Sequence, residues 1–341
     1  MAFDLSTLRR DYGEPELEAY ACRTNCALFD YSFIGRARLD GPGALDAVRQ
    51  LTRRPLTGLL PGQIRYALRA DSNGHLLSDL TVWRHGKTRY EVMSGRSDDI
   101  SDLVVAAWPG CEAEDLSART SIIAVQGPGS LHALAGLTDA GATAKLDYFT
   151  FMPIRICNVH CLVGRLGYTA SLASKLCCHA LRHRNSGTCW RGGRDPPALP
   201  RPTCCGSRRA SCCLRMSSPS GDGAGGLPRA LRRFVWCAKR AGDHPRLLSG
   251  EHSREARSVA ARSTCPSPNR SGMITVTSAC HSLQAGGTLG LGYALRSDLI
   301  AGVPLHDPTG AFADIRLASL PFFDPQKRRP RTPWTAPEHG Q

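Results

Sequence analysis

Long apolar runs are absent. Nowhere do about 18 apolar residues follow one another, which argues against a membrane-spanning helix. The opening stretch, MAFDLSTLRRDYGEPE, carries acids early and lacks the apolar core of a secretory signal, so a soluble cytoplasmic protein is expected. Acidic residues are in short supply, with 29 Asp and Glu against 43 Lys and Arg and a net charge of +14. An excess of that size commonly marks an acidic partner such as nucleic acid. Its location argues otherwise. Residues 171–270 hold 19 Lys and Arg against 5 Asp and Glu, and the remaining 241 residues carry 24 of each. Nine of the fifteen cysteines fall in that same window.

The window also lacks the spacings that chemistry requires. The pairs Cys177-Cys178, Cys204-Cys205 and Cys212-Cys213 are not C-x-x-C, and His179 and His183 form no ligand pair with them, so no metal is expected. Its arginines are not interleaved with aromatics, so a nucleic-acid partner is not expected. Glycines at 41–43 and 221–226 do not make a strand–turn–helix phosphate loop.

What is present is regular on both sides of the window. Residues 16–25 read as a helix, and 27–32 and 35–41 as strands. A helix over 41–54 starts at a Gly-Pro turn, with Ala44, Val48 and Leu51 at helical spacing. Three strands come next, at 64–70, 75–84 and 88–94, divided by Asn73-Gly74 and His85-Gly86. SDDISDLVVAAW reads as a helix, SIIAVQGPG as a strand with Gln126-Gly127-Pro128 as a structural turn, and SLHALAGL as a helix. Helices interleaved with hairpins favour an α+β protein over a doubly wound parallel sheet. From Gly272, MITVTSACHSL, GTLGLGYAL and AFADIRLASLPFF read as short strands between glycine turns, consistent with a small C-terminal β-barrel or sandwich. The middle segment has no period and reads as irregular or disordered. The expected divisions are 1–169, 170–271, 272–331 and a tail at 332–341, with the basic, Pro-rich stretch DPQKRRPRTPW read as a solvated terminus.

The stretches ALFDYSFIGRARLDGPGALDAVRQL, LPGQIRYALRADSNGHLLSDLTVWR, IIAVQGPGSLHAL and GRLGYT, in that order, resemble the tetrahydrofolate-dependent aminomethyltransferases. This is the family of the glycine cleavage T-protein, with relatives among the folate domains of dimethylglycine and sarcosine oxidising enzymes. ITVTSACHSLQAGGTLGLGYAL looks like its closing barrel. The resemblance covers about 1–169 and 272–325. It implies that family's multi-domain fold, tetrahydrofolate as co-substrate and a methylated or aminomethylated amine as donor. It also implies that Asp79 lies beside the transferred one-carbon unit and that Tyr66, Ser94 and Tyr168 contact the folate. Two alternatives stay open: a non-catalytic folate-binding accessory protein, and an inactive product whose basic segment binds nucleic acid non-specifically. No partner subunit can be named from the sequence.

The family's turn continues Gly-Glu-x-Gly-Phe/Tyr-Glu, and a later strand reads Leu-Arg-Leu-Glu-Ala-Gly. Neither is present. The genetic code supplies a reason. Codons for Ala170 to Lys175 can be chosen so that one extra base after Thr169 regroups them to Gly-Glu-Leu-Gly-Phe-Glu. In the same register, Leu181 to Trp190 regroup to Pro-Ala-Ala-Ser-Glu-Phe-Trp-Asp-Val-Leu, an amphipathic helix. Thr203 to Leu214 regroup to Asp-Val-Leu-Arg-Leu-Glu-Ala-Gly-Leu-Val-Leu-Pro. Ala170 to about Arg270 is therefore expected to be read out of frame, with a compensating shift before Gly272.

Overall fold

A computed structural model describes residues 15–52, 54–135, 143–156, 159–167, 173–178, 203–204, 231–240, 271–283 and 285–318, with 324, 326 and 328–331 near the C-terminus. The chain forms two compact units, one of Met1–Ser211 with Gln326–Gln341, the other of Cys212–Pro325.

In the first unit, α1 (Pro15–Thr24) leads into β1 (Ala27–Asp30), β2 (Gly35–Asp40) and α2 (Ala44–Leu51). The meander β3 (Ile64–Ala70), β4 (Leu76–Arg84), β5 (Arg89–Ser94) is next, then α3 (Ser97–Val105) and β6 (Glu112–Asp115). β7 (Ser121–Gln126), α4 (Ser130–Ala135), β8 (Phe151–Ile156) and β9 (Val159–Gly164) come after these. Strands β3-β4-β5-β2-β6 make one antiparallel sheet. Its helix-covered face carries an apolar core. Ala44, Ala47, Val48 and Leu51 line one side of α2 and meet Leu80, Val82, Val92 and, from α3, Leu103. The Asn73-Gly74 signal is a turn closed by Gly74 N–H on the Asp71 carbonyl at 3.1 Å, with Gly74 at φ +86°.

The helix expected to reach residue 108 stops at Val105. Ala106 is already extended (ψ 132°), and the Trp108 indole N–H donates to the Leu103 carbonyl at 2.8 Å, satisfying one of the last helical acceptors. Trp108 also precedes Pro109, which disfavours helical backbone there.

The second sheet of this unit runs β11-β1-β7-β10-β9-β8, with β10 (Ala173–Cys178) and β11 (Thr203–Cys204) drawn from the segment expected to be irregular. For these two stretches that expectation is overturned. β10 is antiparallel to both β7 and β9, and β11 is parallel to β1. The physical reason lies in the neighbours: β7 and β9 each present backbone N–H and C=O groups that need partners whatever side chains the pairing strand carries.

The second unit holds β12 (Leu231–Arg240), β13 (Gly272–Ser282), β14 (Gly287–Leu295), α5 (Arg296–Ala301), β15 (Leu305–His306) and β16 (Phe312–Leu317). They form one five-stranded sheet, β15-β13-β14-β12-β16. The expected mixture of helices and antiparallel sheet is what the chain contains; the described strands of this unit constitute that sheet, and closure into a barrel stays an expectation. β12 also lies within the window, and its Phe234, Val235 and Trp236 are good strand formers. Near the C-terminus, the Pro330 carbonyl accepts from Arg165 Nη2 at 3.3 Å. Residues 332–341 lie outside the described residues.

Candidate functional site

The two faces of the β3–β4–β5 meander divide the expected site residues. Cross-strand partners share a face, and the register pairs Tyr66 with Thr81 and Leu68 with Asp79. Asp79 and Tyr66 are thus diagonal neighbours on the face away from α2 and α3. Asp79 is exposed and Tyr66 half-buried, and the Tyr66 carbonyl accepts from Arg54 Nη1 at 2.8 Å. At the far end of this face Trp83 is fully buried, 5.0 Å from the Phe151 ring. It lies so close to Gly164 that a Cβ there would sit 2.3 Å from the indole.

Ser94 is elsewhere. It pairs with Leu80, so it points to the helix-covered face. It is buried, and its hydroxyl donates to Asp99 Oδ2 at 2.6 Å. Asp99, in the first turn of α3 and wholly buried, also accepts from Ser78 Oγ at 2.5 Å and from Arg69 Nη1 at 2.8 Å. Arg69 Nη2 reaches Asp102 as well, and these two carboxylates raise its pKa against the opposing effect of burial. The Ser94 hydroxyl has one proton and spends it inside the protein. Tyr168 lies outside the described residues.

Sequence reasoning missed a buried ion pair on the Asp79 face. Arg36 donates from Nε (2.9 Å) and Nη2 (2.6 Å) to Glu91 Oε2, and His85 Nε2 lies 3.4 Å from the same oxygen. The available signal was a charged residue set between apolar positions of a strand, Arg36 before Ala37 and Leu39, and Glu91 between Tyr90 and Val92. Burial pushes the Glu91 carboxyl up, but the neighbouring His85 and Arg36 outweigh it, so its pKa is lowered. A carboxyl with a depressed folded value stabilises fully above the ordinary glutamate value, about 4.3, and loses that contribution as pH falls through the lower folded value. The stability advantage of the parent over Glu91→Gln in urea titrations is therefore expected to be constant at neutral pH and to shrink below about pH 4. A gap that stays constant down to about pH 3 would contradict this.

Cys26, buried just before β1, is no reactive thiol. Burial, with Cys22 alongside, pushes the Cys26 thiol up to about 12, far from a thiolate at neutral pH. Among the described residues no group of three or more His, Cys, Asp or Glu side chains is arranged to hold a metal ion, and no helix is long and apolar enough to cross a membrane.

A sequence profile of the GCVT N-terminal domain matches residues 12–186, just over half of the chain. The chain belongs to that family. Over 167 residues it is 32% identical to an aminomethyltransferase of Geobacillus thermodenitrificans, taking in 48% of this chain and 46% of that protein. An aminomethyltransferase of Streptomyces coelicolor is 33% identical over 162 residues, or 46% of this chain and 43% of that protein. The chain thus spans about half the length of the curated relatives it matches. The crystal structure of glycine cleavage system aminomethyltransferase T from Bartonella henselae is similar with a TM-score of 0.64, over 92% of this chain and 90% of that one, at 18% identity. That likeness shows the fold. It extends over far more of the chain than the sequence match does.

Proposed function

We infer that this chain descends from a tetrahydrofolate-dependent aminomethyltransferase and that, as written, its activity is impaired. The observation that carries the reading is the shared face of β3 and β4, where an exposed Asp79 stands diagonally beside Tyr66. In the intact site, the one-carbon unit passes to a folate nitrogen as its bond to the donor amine breaks, and the amine leaves protonated. Asp79 would orient the amine and stabilise the positive charge that develops during transfer. Tyr66 would pack against the pterin, and Tyr168, by the resemblance of the GYT stretch, would border it. Ser94 serves this site indirectly, as part of the packing under β4.

The groups that should complete the pocket are missing. Ala170-Ser171 and the residues after them stand where the family's turn carries its glutamates, and the arginine of the Leu-Arg-Leu-Glu-Ala-Gly strand has no counterpart. A frame displaced over about 170–270 accounts for both losses. Support comes from the strands themselves: β10 and β11 occupy places in the sheet although their residues lack a strand pattern. Read one base over, positions 173–175 spell Gly-Phe-Glu and positions 203–205 Asp-Val-Leu. On this reading 1–169 is the folate-binding region, 170–271 the displaced segment and 272–331 a C-terminal β region.

The role of Asp79 is tested in a frame-restored protein carrying Asp79→Asn. Losing the charge that faces the developing cation is expected to lower turnover by about a hundredfold or more, while tetrahydrofolate affinity in calorimetry falls much less. Turnover within a few-fold of the restored parent would remove Asp79 from the chemistry.

A further inference from the structure

The Asp99 cluster lies on the opposite face from Asp79, yet it grips the same strand end. β4 is irregular there: Arg69 pairs with Ser78 but Ala70 with Leu76, so Leu77 is an extra residue, and the strand bulges two positions before Asp79. A bulge leaves the local ladder incomplete, and the direction of the next side chain then depends on what fixes the backbone around it. What fixes it here is one carboxylate. Asp99 is wholly buried and ties Ser78 on β4, Ser94 on β5 and Arg69 on β3 to the first turn of α3. Ser78 is the residue immediately before Asp79, and Ser94 Oγ also lies 3.5 Å from the Asp79 carbonyl.

We propose that Asp99 is a positioning residue: through Ser78 and Ser94 it fixes the bulged end of β4, and with it the direction in which Asp79 projects. The functional weight of this rests on the reading of Asp79 given above. The donors and acceptors of the cluster are directed at one another, so its role is mechanical. A strand-end clamp of this kind acts locally. Removing one of its hydrogen bonds loosens residues 77–80 while the rest of the sheet keeps its core against α2 and α3.

The test is hydrogen exchange by mass spectrometry on the soluble fraction of the full chain, comparing the parent with Ser78→Ala and Ser78→Thr. Loss of one charge-assisted hydrogen bond is expected to speed exchange in a peptide covering 76–82 by roughly tenfold. Peptides covering β2 and α2 should keep the parental rate. Ser78→Thr, which retains a hydroxyl and suits a strand, should restore protection. Unchanged exchange at 76–82 in Ser78→Ala would overturn the proposal. An equal rise across the sheet, a general unfolding of Ser78→Ala, or no recovery in Ser78→Thr would overturn it as well. The measurement needs no folate, so it is independent of the Asp79 turnover experiment. Failure there with a positive result here would leave a clamp at a site of different use.

Discussion

Inserting one base after the codon for Thr169, together with the compensating change before Gly272, is expected to convert an aggregating chain into a soluble one that binds tetrahydrofolate. Two physical effects act together. As written, the side chains between Ala170 and Arg270 follow no strand or helix period, so they supply no matched apolar surface to the sheet of β1, β7 and β9. Apolar faces left uncovered promote association during folding. The parent should therefore be recovered mainly as aggregate, and the restored protein mainly in solution. Binding obeys the same logic. A pterin ring needs paired donors and acceptors in a dry pocket, and each charged partner removed costs about 2–5 kcal/mol. Restoring even one should raise affinity at least about thirtyfold, enough to separate a clear calorimetric isotherm from none. Equal solubility of the two forms, or equal affinity, would contradict a displaced frame as the cause.

The second large effect concerns Arg36 and Glu91. Their side chains are 0% and 4% exposed, so neither charge has water to fall back on. Glu91→Ala leaves a guanidinium buried without its carboxylate and should cost about 3–5 kcal/mol in urea unfolding. The double replacement Arg36→Met with Glu91→Leu removes both charges and fills the space with apolar atoms. It is expected to fall within about 1–2 kcal/mol of the parent, or to exceed it. The contrast separates the cost of breaking the pair from the worth of having it. Should the double variant be as unstable as Glu91→Ala, the pair itself would be stabilising the sheet, and desolvation of the lone charge would be the smaller effect.

Much of the first unit was legible because its period was clean. Ala44, Val48 and Leu51 announced α2, and Asn73-Gly74 announced the β3–β4 turn. Others were hidden for definite reasons. The β8–β9 hairpin carries Pro153 in β8, which reads as a strand breaker until β8 is seen as a sheet edge, where a missing N–H is tolerated. β6 is four residues, EAED, with no apolar alternation, and among the described residues it pairs only with β2. β10 and β11 could not be read from side chains, since what recruits them is backbone pairing with strands remote in sequence. At the site, strand alternation already placed Asp79 and Ser94 in adjacent strands, but only the register shows them on opposite faces. Asp98 and Asp99 lie in the first turn of α3, where acids are ordinary in any helix. That one of the two is a buried hub joining three strands depends on tertiary packing that no local pattern encodes.

The most direct measurement is the nucleotide sequence of the gene across codons 165–275. The genetic code leaves the synonymous positions of Ala170 to Lys175 and Thr203 to Leu214 free, so nothing in the amino-acid sequence compels them. If the frame is displaced, the codons in use are those which, with one base inserted after Thr169, spell Gly-Glu-Leu-Gly-Phe-Glu and Asp-Val-Leu-Arg-Leu-Glu-Ala-Gly in a single open frame, and this is the expected result. Codons whose shifted reading gives stops or unrelated residues at these two places would contradict it.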